Sequence, residues 1–124
     1  MSVPRDGSLH SRVYKIVDEA QLEVLRSTRD WLGAPIDHKD GFVHFSAHDQ
    51  VMGTLCKHFA GRTGLHVLEL AVDRIDAEHL RWEVSRNGDL FPHLYGPMRF
   101  DMVVEVHPVK SDANGEFEPL VLKP

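Results

Sequence analysis

A chain of 124 residues, 42% hydrophobic and 27% charged, has the size and composition of one compact domain with a modest core. Its formal net charge of -5, without a cluster of Lys and Arg, excludes a partner held mainly through a phosphate backbone, so no extended nucleic-acid surface is expected. The single Cys56 excludes an internal disulfide, no stretch reaches membrane-spanning length, and the first residues lack the apolar run of a signal peptide. The expected setting is the cytoplasm, without a membrane partner.

Residues 1–12, with Pro4, Asp6, Gly7 and Ser8, read as a loose N-terminal arm, and residues 13–109 as a single domain. Val13 to Val17 predicts a strand. Asp18 with Gln21 three positions on has the form of a helix start, and Ala20, Val24, Leu25 and Thr28 recur at helical spacing toward Trp31. The helix is expected to end between Asp30 and Gly33, and the Gly33-Ala34-Pro35 turn to open an irregular segment through Lys39.

From Phe42 to Ser46, alternation turns Val43 and Phe45 toward a core and leaves Phe42, His44 and Ser46 on the opposite face. Ser46, with Asp49 three positions on, predicts the start of a helix whose apolar stripe is Val51, Met52, Leu55, Cys56 and Phe59, with Gly61 as its stop. On that stripe Cys56 is a core residue rather than a nucleophile. Leu65 to Val72 is a nearly continuous apolar run, the pattern of a central strand. Leu80 to Val84 alternates again, with Leu80, Trp82 and Val84 on one side and Arg81 and Glu83 on the other. Met102 to Val106 is the last clear strand, and residues 110–124 suit either an edge strand or a dimer contact. Nothing in the sequence assigns an oligomeric state.

Three groups of residues carry chemistry. His44 and Ser46 share a strand face, where an imidazole serves as general base, donor to an anionic group or ligand anchor. The plainer roles are a core histidine bonded to a carbonyl and a helix cap worth about 1 kcal/mol. His93 and Tyr95 lie two residues apart between Pro92 and the Gly96-Pro97 turn, a stiff frame suited to a binding wall or to a structural corner. Arg81 and Glu83 share a face; exposed, the pair contributes about 0 to 1 kcal/mol, but in a cleft Arg81 clamps a phosphate or carboxylate and Glu83 orients His93 or a ribose hydroxyl. Nine histidines raise the question of a metal, yet His44 and His48 straddle a strand-to-helix junction and the others show no recurring spacing, so no metal site is expected.

Gly41-Phe42-Val43-His44-Phe45-Ser46, Leu80-Arg81-Trp82-Glu83 and Leu90-Phe91-Pro92-His93-Leu94-Tyr95-Gly96-Pro97 together resemble the domain of unknown function 952 family of small bacterial proteins, over about Val13 to Val109. That family is thought to be a distant relative of the ADP-ribosyltransferase and RNA 2'-phosphotransferase fold. The resemblance implies an α+β domain, a split mixed β-sheet with flanking helices, and a pocket for a nicotinamide dinucleotide, which makes NAD the cofactor to expect. It places Tyr14-Lys15 where the wider group carries a Tyr-His pair, Ser46 at a second conserved-type position, and Glu83 nearest to a third, catalytic carboxylate.

Two functions follow from these readings. The first is an enzyme of the ADP-ribosyltransferase or phosphotransferase kind, with His44, Glu83 and His93 as catalytic residues and Lys15, Ser46, Arg81 and Tyr95 holding a small ligand by its anionic group and ring. The second is a binding or sensing module on the same fold that carries out no reaction.

Overall fold

Apolar residues at Val13, Ile16 and Val17 draw the first strand, β1 (Arg12–Asp18), into the interior of the computed structural model, which describes residues 10–124. The expected arm over 1–12 thus ends before Arg12, and its first nine residues lie outside the described ones. Helix α1 (Glu19–Ser27) starts on the anticipated capping box: the Gln21 amide donates to Asp18 Oδ1 at 2.8 Å, and the Asp18 amide donates to Gln21 Oε1 at 3.0 Å. It stops earlier than its periodicity suggests, because Trp31 leaves the helix to form a two-bond bridge with Met98.

The irregular segment expected through Lys39 is instead a short helix, α2 (Pro35–Asp40), with proline in its first turn and Gly41 closing it in the left-handed region at φ 84°. The strand β2 (Val43–His44) follows. Its alternation is as expected, with Val43 and Phe45 buried in the main core. Ser46 does not cap the next helix, α3 (Val51–His58), whose first residue lies five positions later behind Gln50. Instead, Ser46 exchanges both main-chain hydrogen bonds with Tyr14, at 2.8 and 2.9 Å. On α3 only Val51 and Leu55 are buried, and Cys56 is exposed rather than in the core.

The remaining strands are β3 (Leu65–Ala71), β4 (Leu80–Val84), β5 (Leu90–Leu94) and β6 (Val103–Pro108). They form two three-stranded sheets, ordered β1-β3-β6 and β2-β5-β4, in which every pairing is antiparallel. The expectation of a mixed sheet is therefore corrected. The Tyr14–Ser46 bridge joins the edge of one sheet to the edge of the other, and continuation of that ladder would pair Ile16 with His44. It does not continue, because the His44 amide donates to Asp37 Oδ1 at 3.0 Å. A carboxylate from α2 is thus wedged where the sheets part.

The larger core lies between α1 and the two sheets, with Val13, Val17, Leu25, Leu68, Leu70 and Leu94 at its centre. A second cluster joins Tyr14, Ile16, Leu65 and Val67 to Val51 and Leu55 of α3. The C-terminal residues make no edge strand beyond an isolated Ser111–Phe117 bridge; Phe117, Leu120 and Leu122 pack on this second cluster instead. Among the described residues no helix is long and apolar enough to cross a membrane.

Candidate functional site

The cross-strand register places His44 of β2 opposite His93 of β5, and His93 opposite Arg81 of β4. Strand periodicity therefore puts Phe42, His44, Arg81, Glu83, His93 and Tyr95 on one face of the small sheet. At its centre is Phe42, whose ring stacks on His93 at 4.2 Å and lies 4.6 Å from His44 and 5.1 Å from Tyr95. The two imidazoles meet edge to face at 5.5 Å.

Each imidazole has its own carboxylate. His93 Nδ1 is 2.9 Å from Glu83 Oε1, the oxygen that also accepts the Tyr95 hydroxyl hydrogen at 2.6 Å. Burial lowers the His93 pKa, partly opposed by the Glu83 hydrogen bond. Hydrogen bonds from Tyr95 and His93 lower that of Glu83, and the same contact raises that of Tyr95. His44 Nδ1 is 2.6 Å from Asp37 Oδ1, and its Nε2 is 2.9 Å from Asp40 Oδ2.

Asp37, which sequence reading did not single out, is 1% exposed and has four nitrogen atoms within 3.0 Å of its oxygens. Oδ1 faces the amide and Nδ1 of His44, while Oδ2 accepts from the Ala34 amide at 2.7 Å and from Lys15 Nζ at 2.9 Å. Burial pushes the Asp37 carboxyl up, but the bonds from His44 and the charge of Lys15 outweigh it and hold the pKa at about 2. Burial lowers that of Lys15, against the attraction of Asp37.

A cleft of about 670 Å³ opens at the split between the sheets. His44, His93 and Asp40 line it together with Lys15, Ile16 and Ser46, while Ile36, Phe59 and Phe91 supply apolar wall and Arg62 stands on its border. The Ser46 hydroxyl is 3.1 Å from that of Thr54. Since Tyr14 directs its N–H and C=O outward to Ser46, those of Ile16, two residues on, face the same side, where no strand among the described residues pairs with them.

Of the sequence-predicted residues, His44, His93, Ser46 and Lys15 thus converge on one cleft. Arg81 does not join them: its guanidinium lies over the Tyr95 ring, 5.1 Å from the centroid, outside the cleft lining. Glu83 and Tyr95 stand behind His93 rather than in the wall, and Lys15 turns its charge to Asp37 instead of to the opening. Among the described residues, one set of potential metal ligands comes together: Glu69, Glu105 and His107 on the other sheet, where Arg12 and His107 already engage Glu69.

A split antiparallel sheet carrying two carboxylate-held histidines at its opening defines the class of protein: a small α+β domain with an open cleft between its sheets. The family described as "Protein of unknown function (DUF952)" matches residues 16–106, and the chain belongs to this family. Protein CC0527 from Caulobacter crescentus is 34% identical; its crystal structure superimposes with a TM-score of 0.80, covering 86% of this chain and 93% of that one. The solution NMR structure of CC0527 gives a TM-score of 0.75, covering 86% and 90%. No curated protein matches the chain.

Proposed function

We propose that the protein is an enzyme that binds a nucleotide, NAD or a close derivative, in the cleft and transfers part of it with His44 and His93 as an acid–base pair. The observation that carries this reading is the pair itself: two imidazoles 5.5 Å apart, each oriented by a carboxylate, at one opening. Burial favours the neutral form of His93, and beside it His44 has Asp37 at one ring nitrogen and Asp40 at the other. Apolar wall at Phe59, Phe91 and Ile36 suits a planar ring, and the main-chain edge of Ile16, unpaired by any strand among the described residues, offers one donor and one acceptor to an amide or base edge. Arg62, exposed and placed by Asp18 at 3.2 Å and by the Phe59 ring beneath its guanidinium at 5.2 Å, takes the phosphate role that sequence reading gave to Arg81.

A second reading, a binding module without turnover, is favoured by one observation. Lys15 and Arg62 already face Asp37 and Asp18, so a phosphate has to displace an internal partner. Calorimetric titration with NAD, ADP-ribose and inorganic phosphate, followed by assay for released nicotinamide, separates the two. The enzyme reading expects saturable NAD binding and nicotinamide release, with release reduced by about 10²-fold or more in His44→Ala and His93→Ala. Binding without release supports the module, and no binding of any nucleotide removes both.

A further inference from the structure

The two-histidine chemistry leaves one buried cation of the cleft unused. Lys15 Nζ lies 2.9 Å from Asp37 Oδ2 and its side chain is 7% exposed, so its charge serves Asp37 rather than a ligand. The other oxygen of Asp37 lies 2.6 Å from His44 Nδ1. One carboxylate therefore connects the lysine to the imidazole, whose second nitrogen faces Asp40 at the cleft.

We infer that Lys15 and Asp37 are positioning residues that fix the hydrogen of the neutral His44 ring on Nδ1, leaving Nε2 as a bare acceptor for a hydrogen-bond donor of the ligand. An ionised carboxylate only accepts, and a neutral imidazole has one N–H to share between Asp37 and Asp40. Burial decides between them. Asp37 has no solvent to replace a missing donor, and a ring lone pair set against its oxygen would leave two acceptors in contact. Asp40, 38% exposed at its side chain, can turn to water. Lys15 and the Ala34 amide keep the second oxygen of Asp37 satisfied, which holds the carboxylate in its ionised, accepting form.

In the ligand-free site Asp40 Oδ2 stands 2.9 Å from Nε2. A ligand hydroxyl that takes the place of Asp40 meets a bare Nε2, and its proton passes to that nitrogen as the O–H bond breaks and the N–H bond forms. This inference rests on the acid–base reading of the cleft and adds a ligand class to it: the group at His44 is a donor such as a sugar hydroxyl, not an anion held by Lys15.

The test is nitrogen NMR of ligand-free protein labelled in its histidine rings, at a pH well above the ordinary imidazole range, with the His44 signals identified by their loss in His44→Gln. Wild-type His44 is expected to show a protonated Nδ1 and a bare Nε2. Asp37→Asn makes Asp40 the stronger acceptor and moves the hydrogen toward Nε2; Lys15→Met weakens the Nδ1 preference and Lys15→Arg restores it. A wild-type ring protonated at Nε2 overturns the inference even where no variant folds, as does an unchanged tautomer in a folded Asp37→Asn protein. ADP-ribose, rich in hydroxyl donors, is expected to shift the Nε2 resonance more than inorganic phosphate does, and the reverse order overturns the ligand class. Because the tautomer is read without ligand, failure of nucleotides to bind leaves it standing, and an Nε2–H ring in a protein that binds NAD sinks the relay alone.

Discussion

A carboxylate removed from water is stable only where its partners replace that water, and Asp37 has four of them within 3.0 Å. Asp37→Ala leaves the Lys15 ammonium buried without its counter-charge and is expected to cost about 3–5 kcal/mol in urea unfolding. Asp37→Asn, which keeps an acceptor, is expected to cost about 1–3 kcal/mol. The low Asp37 pKa also fixes a pH dependence. A carboxyl at about 2 in the folded state, against an ordinary value of 3.8, stabilises the fold fully above 3.8, and that contribution is lost as pH falls through about 2. Acid unfolding of Asp37→Asn should therefore show a shallower slope over that window; an identical slope would place the acid sensitivity elsewhere. Strand alternation made His93 with Tyr95 and Arg81 with Glu83 legible as pairs, and the cross-strand register then sets them on one face with His44. Asp37 was not legible, since it reaches the site from a separate short helix, and no single periodicity relates a residue of α2 to one of β2.

At the scale of elements, local signals carried α1 and failed at its neighbours. The Asp18–Gln21 box formed as written, and Asp18→Ala should cost about 1 kcal/mol, read as a lowered thermal midpoint. Helix α2 has six residues, too few to establish an apolar period, and Ala34 before it offers no capping side chain. What fixes it is tertiary: the Asp37 carboxylate accepts the Ala34 amide hydrogen. Ser46 failed for the converse reason, because its main chain is committed to the Tyr14 bridge and cannot begin a helix. Gly33 shows how closely the entry to α2 is packed. It sits at φ 100°, and a Cβ there would run into the Asp37 carboxylate. Gly33→Ala is accordingly expected to cost about 1–3 kcal/mol and to disturb the His44 ring signals, whereas Gly41→Ala, at φ 84° in open space, should meet only the backbone penalty.

For the whole molecule, the decisive feature is how little joins the two sheets on the side of the cleft. One two-bond bridge at Tyr14 and Ser46 closes its base, and the split above it is what makes room for a ligand. The strand inventory was largely readable from the apolar pattern and the split was implied by the family resemblance, but the antiparallel order was not, because sheet order depends on contacts between residues far apart in the chain. The same limit hid the course of the last residues, whose apolar side chains carry no strand period and find their partners on β1 and α3.

Tyr14 ties these last residues to the bridge. Its hydroxyl donates to the Lys123 carbonyl at 2.6 Å and accepts from the Lys123 amide at 2.9 Å, while Ser11 bonds to the Pro124 carbonyl beside it. Burial and the nearby Glu69 carboxylate push the phenol pKa up to about 12, against an ordinary 10.0. A raised folded value means that the contribution is fully present below pH 10.0 and is lost as pH rises through about 12, where the phenolate can no longer donate to the Lys123 carbonyl. Tyr14→Phe removes both bonds while keeping the ring in its cluster, and is expected to cost about 1–2 kcal/mol and to abolish the alkaline dependence. Amide exchange reads the location. Exchange at Lys123 should accelerate in Tyr14→Phe at neutral pH while the Ser46 amide, bonded to the Tyr14 main chain, keeps its protection. Equal acceleration at both would mean that the C-terminal clasp and the bridge between the sheets open as one unit, and that the base of the cleft depends on residues 110–124.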